Sequence, residues 1–152
     1  MLYVVLLLLA VVIVVGLSAY AFILVRKVKA QEAKREEEER LLAQKNAEQK
    51  LYRNRSIQAL AQGVLEDQLT LTEGAIRIRV MLDGLDVNAS VQEEFKAFYQ
   101  LSDATKHIPI LEEWKKLKLK QRVAFDKERQ QLEADHKEFV EDAAQRILGR
   151  QF

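Results

Sequence analysis

The sequence predicts an all-α protein: an N-terminal transmembrane helix, a charged helical stalk, and a small helical bundle with a long C-terminal helix. Three observations point there. Residues 1–25 hold none of the 24 basic and 23 acidic side chains, so everything after them is more heavily charged than the ~25% usual for globular chains. One proline, Pro109, and five isolated glycines leave long stretches without a helix breaker. Apolar residues then recur at helical spacing from Ile57 onward. The expected organisation is an anchor over 2–25, a stalk over 26–52, and a helical domain over 53–152, enough chain for one modest domain.

Between Leu2 and Val25 only Gly16 and Ser18 fall outside the apolar and aromatic set. A helix over this stretch rises about 36 Å, sufficient for a ~30 Å hydrocarbon core, and it satisfies its own backbone there. Ala19-Tyr20-Ala21 offers small residues at the spacing of a signal-peptide cleavage site. No basic residue precedes the apolar run, however, and Phe22–Val25 continues it past the cut, so a retained anchor is favoured. Arg26, Lys27 and Lys29 flank only the C-terminal end. The positive-inside rule therefore sets the N-terminus outside and residues 26–152 in the cytoplasm. Neither Gly16 nor Ser18 has a small residue four positions on, and no side chain of the span suits transport, so it reads as a tether.

The stalk, Arg26 to Tyr52, is rich in Lys, Arg, Glu, Gln and Ala and lacks Gly and Pro, a helix-forming composition. Lys34 with Glu38, Arg35 with Glu39, and Glu36 with Arg40 are opposite charges at i,i+4, each adding ~0.2–0.5 kcal/mol to an exposed helix. A coiled-coil dimer is the functional reading and a solvated spacer the plainer one. Val28, Leu41, Leu42, Leu51 and Tyr52 are too sparse to sustain heptads, which favours the spacer. The acidic run Glu36–Glu39 is a solvated face on this reading.

In the domain, Ile57, Leu60, Ala61, Val64 and Leu65 follow the template of one buried helix face, and the helix ends near Glu66-Asp67-Gln68. Thr70-Leu71-Thr72-Glu73 is a capping-box pattern opening a second helix to about Asp83, with Leu71, Ala75, Ile78, Leu82 and Leu85 on one stripe. Ile76-Arg77-Ile78-Arg79-Val80 also alternates as a strand would. The cap, and the lack of a partner strand to satisfy the backbone, favour helix. After a loop over 83–89, Ser90-Val91-Gln92-Glu93 repeats the capping pattern and starts a third helix carrying Val91, Phe95, Phe98 and Leu101 inward. Pro109 suits the first turn of a fourth helix running to Leu148. Its expected inner face is Ile110, Trp114, Leu117, Ala124 and Phe125, then Leu132, His136, Phe139, Ala143 and Ile147. Such a rod measures about 60 Å, so it bends, breaks near Asp126 or projects; Gly149 caps its end.

Chemistry is thin in this sequence. With no cysteine, disulfides and thiolate nucleophiles are excluded. The scattered glycines Gly16, Gly63, Gly74, Gly84 and Gly149 assemble no phosphate-binding loop. Glu133 and His136 have the Glu-x-x-His spacing of half a di-iron site, but a second copy is missing, and a partly buried histidine is the plainer account. Trp114 to Arg122 holds five positive charges. On a continuous helix they surround the axis, so a solvated surface is favoured over a polyanion or lipid site. Arg77 and Arg79 diverge by about 200° on a helix and cannot clamp one ligand.

Arg55-Ser56-Ile57-Gln58-Ala59-Leu60-Ala61-Gln62, Leu71-Thr72-Glu73-Gly74-Ala75-Ile76-Arg77-Ile78, and His107-Ile108-Pro109-Ile110 with Trp114-Lys115 resemble an uncharacterised bacterial family, the domain-of-unknown-function family twenty-four eighty-nine. The resemblance implies a membrane-anchored protein with a cytoplasmic helical domain; it implies no activity, cofactor or site residue.

The expectation is thus a single-span inner-membrane adaptor or scaffold, with no enzymatic activity, cofactor, metal or nucleic acid. It would meet the bilayer through 2–25 and an unidentified protein through its helical surface, where Arg77, Arg79, His107, Trp114 and Lys115 are the candidates. A ligand-binding or sensory module near His107 and the arginines is the alternative. A homodimer along Leu132, Phe139 and Ile147, near heptad spacing, is a further expectation.

Overall fold

The computed structural model describes the backbone of residues 1–152 and all side chains apart from those of Leu2, residues 4–12, Ala19 and Ala30. The described residues form six helices: α1 (Leu2–Leu65), α2 (Leu71–Gly84), α3 (Ala89–Glu94), α4 (Lys96–Ala104), α5 (Leu111–Lys116) and α6 (Leu119–Ile147). With no strand among the described residues, the all-α class holds, and the alternating segment 76–80 lies within α2.

Two compact units divide the chain, Met1–Ala47 and Glu48–Phe152. The first is helix from Leu2 onward. The described residues include no helix long and apolar enough to cross a membrane. Much of the run expected to do so, residues 4–12 with Leu2 and Ala19, lies outside the described side chains. Beyond Arg26 the helical composition gives helix as expected, with Leu41 and Leu42 exposed.

The second unit is a small bundle. Its core takes Ile57, Ala61 and Val64 from the end of α1, Ala75, Ile78 and Leu82 from α2, Phe95 from the α3–α4 junction, Phe98 and Leu101 from α4, and Val140, Ala143, Ala144 and Ile147 from α6. Both helical stripes expected on α1 and α2 therefore point inward. Gly74 brings those helices together: a Cβ there would stand 2.1 Å from Val64 Cγ2, so only a residue without one permits this approach. Thr70 caps α2 as predicted, its hydroxyl accepting from Glu73 N–H at 3.2 Å. Asp67, in the tight α1–α2 turn, takes a left-handed φ of 55°, a conformation that aspartate tolerates better than most residues.

Three expectations are corrected. The third helix starts at Ala89, not at Ser90: Asn88 is the N-cap, accepting from Val91 N–H at 3.0 Å, and Ser90 donates to the Asn88 side chain. The same helix is interrupted at Phe95, whose φ of −107° and ψ of 26° leave the α region. Phe95 is wholly buried there, stacked on Phe98 at 6.4 Å and edge-on to Phe152 at 5.9 Å. The long helix from Pro109 is two helices. Pro109 lies ahead of α5 instead of in its first turn, and Leu117 and Lys118, both extended, separate α5 from α6 well before Asp126. No Gly or Pro breaks it; like charges at Lys115/Lys118 and Lys116/Lys120, spaced i,i+3 and i,i+4, disfavour a continuous helix. The freed groups find partners, since Gln121 Oε1 accepts from Lys118 N–H and Arg122 donates to Lys115 O at 2.6 Å.

The inner face of α6 also differs. Val140 occupies the core where Phe139 was expected, and Phe139 is 64% exposed. Ile110 and Ala124 are exposed too, so the first half of the predicted face does not belong to the core. At the other end Gly149 takes φ 78°, the left-handed geometry of a helix C-terminus, and its N–H donates to Gln58 Oε1 at 2.7 Å.

Candidate functional site

Arg77 and Arg79 leave α2 in different directions, as their spacing requires. Arg79 turns to α4, donating to Asp103 Oδ1 at 2.6 Å and Ser102 Oγ at 3.2 Å, and stacks 5.2 Å over the Tyr99 ring. Tyr99 in turn donates to Asp83 Oδ1 at 2.9 Å. Burial, helped by that bond, pushes the Tyr99 hydroxyl up to about 12, and the bond to Asp103 holds the Arg79 proton still more firmly than usual. This network clamps α2 to α4.

Arg77 faces the other way, ion-paired with Glu73 at 2.8 Å, onto an open cleft of about 340 Å³ between α1 and α2. Tyr52, Ser56, Ala59 and Leu60 form one wall, Arg77 and Met81 the other. Ile76 and Val80 are exposed on the outer face of α2. Tyr52, Ser56, Ala59 and Leu60 lie one turn apart on α1, and Arg77 and Met81 one turn apart on α2, so each wall is a helical stripe. The sequence reading missed all of these except Arg77. Each stripe is visible in the sequence, but their apposition depends on the Gly74 contact.

The other candidates sit around α5. His107 Nε2 lies 2.8 Å from Glu128 Oε1, and its ring is 6.5 Å from that of Phe125. Trp114 is half-buried beneath the Arg129 guanidinium at 5.9 Å, and Lys115 pairs with Glu112 at 2.7 Å. The five candidate residues thus fall in three settings: the α1–α2 cleft, the α2–α4 network and the α5–α6 hairpin.

Glu133 and His136 do structural work. Glu133 Oε1 accepts from Thr72 N–H at 3.0 Å, so a carboxylate of α6 satisfies a free amide at the N-terminus of α2. His136 Nδ1 lies 2.9 Å from Leu132 O, one turn back on its own helix. The described residues contain no group of three or more His, Asp or Glu placed to hold a metal. Nor do Leu132, Phe139 and Ile147 form an exposed seam, because Ile147 is fully buried in the core.

Comparison with curated proteins and with solved structures gave no match. A family profile, described as a protein of unknown function, does match, over residues 14–147. That stretch includes part of the apolar run, the whole stalk, both walls of the cleft and the α5–α6 hairpin, and the chain therefore belongs to the DUF2489 family.

Proposed function

We propose that the chain is a single-span protein of a bacterial inner membrane, held by residues 2–25, that displays a cytoplasmic helical domain to dock a helix of a partner protein in the α1–α2 cleft. The single observation that carries the docking is the cleft's make-up. Tyr and Arg are the residue types that dominate binding energy at protein interfaces, Met81 adapts to irregular partners, and Leu60 adds apolar surface to the α1 wall. An amphipathic helix laid between two helices buries its apolar face there and keeps its polar face in water. The protein is an adaptor or scaffold on this reading, with no reaction assigned.

The anchor is supported by the uncharged run to Val25 and by the basic residues that follow it. Ile13, Val14, Val15, Leu17, Phe22 and Ile23 are exposed on its helix, apolar surface of the kind that lipid covers. Orientation with the N-terminus outside follows from Arg26, Lys27 and Lys29. The cleft volume also lies in the ~300–1,000 Å³ range of small-molecule sites, which sustains the second reading, a ligand-binding or sensory module.

Tagged full-length protein purified in mild detergent tests the proposal. One protein retained in stoichiometric amount, and lost with Tyr52→Ala or Met81→Glu, is expected; retention unchanged by either variant refutes cleft docking. A small molecule that raises the melting temperature, with no protein retained, selects the second reading. Release of the chain from membranes by alkaline carbonate refutes the anchor.

A further inference from the structure

We propose that the α5–α6 hairpin is a lipid-binding tip that seats aliphatic side chains in the interface of an anionic bilayer. The break at Leu117–Lys118 carries this inference. On one continuous helix the lysines would surround the axis; with the helix broken, that angular argument no longer applies. The hairpin instead leaves four large aliphatics outside the core: Ile110 at 69% exposure, Leu111 at 78%, Leu119 at 77% and Val123 at 58%. Ile110 and Leu111 open α5, and Leu119 and Val123 lie one turn apart in the first two turns of α6; between them along the chain Lys115, Lys116, Lys118 and Lys120 are exposed.

Two further observations bear on what covers them. Residues 106–129 contain eight basic and four acidic side chains, a net of +4, in a chain whose total is +1. Over Leu111–Ile147 as a whole nine basic and nine acidic side chains balance, so the positive charge is concentrated at the α5–α6 break, where Lys115, Lys116, Lys118, Lys120 and Arg122 fall, and an anionic leaflet complements that end. Leu111 is held at φ 49°, a left-handed conformation that is an outlier for a bulky residue. Strain of this sort concentrates at functional positions, and here it is spent on a leucine that the core does not use. Protein interfaces are depleted of lysine at their centres, whereas a membrane interface takes lysines and aliphatic tips together. Trp114, half-buried under Arg129, is not placed to stack on bases.

The tip does not depend on the cleft, but it uses the bilayer that the anchor reading supplies, and so rests on that part of it. Trp114 is the only tryptophan in the chain and lies within α5, so it reports on the tip directly. Full-length protein is reconstituted into phosphatidylcholine vesicles with and without phosphatidylglycerol, and Trp114 emission and its quenching by brominated lipid are recorded. A blue shift and quenching confined to the phosphatidylglycerol vesicles, weakened by salt, are expected. Lys118→Glu with Lys120→Glu abolishes both, each lost lysine alone being worth about fivefold in tip binding; circular dichroism checks that this surface variant stays folded. Leu111→Asp with Leu119→Asp has the same effect. Identical emission in both vesicles overturns the tip. So does a change elicited by RNA or polyglutamate and not by phosphatidylglycerol, which assigns the hairpin to a different polyanion. Carbonate washing of the same vesicles separates the readings: a washed-out chain fails the anchor, while the emission recorded beforehand still decides the tip.

Discussion

Replacing Gly74 with alanine reverses the usual effect of that substitution. In the interior of an exposed helix, Gly→Ala gains ~0.5–1 kcal/mol. Here the new Cβ would stand 2.1 Å from Val64 Cγ2, well inside the ~3.5–4.0 Å at which carbon atoms pack best. Val64 is 1% exposed and β-branched, with little rotamer freedom on a helix, so the helices must part. Overpacking of this kind costs ~1–3 kcal/mol, and a demand for more than an ångström belongs near the upper end. After subtracting the helix gain, Gly74→Ala loses about 2 kcal/mol. For a unit of this size that lowers the melting temperature by roughly 10 °C. The assay is urea and thermal unfolding of the full chain in detergent, followed by circular dichroism, with a double-mutant cycle through Val64→Ala. Val64→Ala alone opens a cavity, and the Gly74→Ala methyl then fills it, so the double variant is no less stable than Val64→Ala by itself. A Gly74→Ala protein as stable as the wild type, or costs that simply add, refutes the close α1–α2 contact and the cleft built on it.

Other perturbations have definite outcomes. Glu133→Ala removes the carboxylate that accepts from Thr72 N–H and destabilises the bundle by ~1 kcal/mol in urea unfolding, while added iron or zinc leaves the wild-type melting temperature unmoved. Tyr99 has a folded pKa raised from 10.0 to about 12. Its contribution is present in full below pH 10 and is lost as pH rises toward 12, because the unfolded chain gives up that proton first. Stability measured across that window falls less steeply in Tyr99→Phe than in the wild type. Leu111→Gly relieves a left-handed leucine and leaves the protein as stable or up to ~1 kcal/mol more so, yet it weakens the response of Trp114 to anionic vesicles. Asn54→Ala breaks the paired bonds to the Phe152 backbone, at 2.8 and 3.1 Å, and costs ~1–3 kcal/mol in the same unfolding assay.

Features written in short-range sequence were legible. The Ile57, Ala61, Val64 stripe, the Thr70 cap and the Gly149 terminus each depend on residues within a turn or two, and each stands in the structure as the spacing implies. Where two residues could serve one local role, the sequence did not decide between them. Asn88 and Ser90 both carry capping side chains, and Phe139 and Val140 are adjacent apolar residues whose order of burial is set by how α6 rolls against α2 and α4. The break at Leu117–Lys118 has no glycine or proline to announce it. Mutual repulsion among lysines is a weaker signal than a missing amide, and reading through it hid the exposed leucines. The candidate site was the least legible. Its walls are two ordinary stripes, 52–60 and 77–81, that belong to no motif, and only the Val64–Gly74 contact, a tertiary fact, makes them face each other.

Photo-crosslinking from exposed Ala59 on the cleft wall, in the full chain in native membranes, tests the central claim most directly. A discrete adduct with one protein, found in the membrane fraction and abolished by Met81→Glu, is the predicted result. No adduct, or the same adducts from a crosslinker at exposed Gln130 on α6, contradicts a docking cleft between α1 and α2.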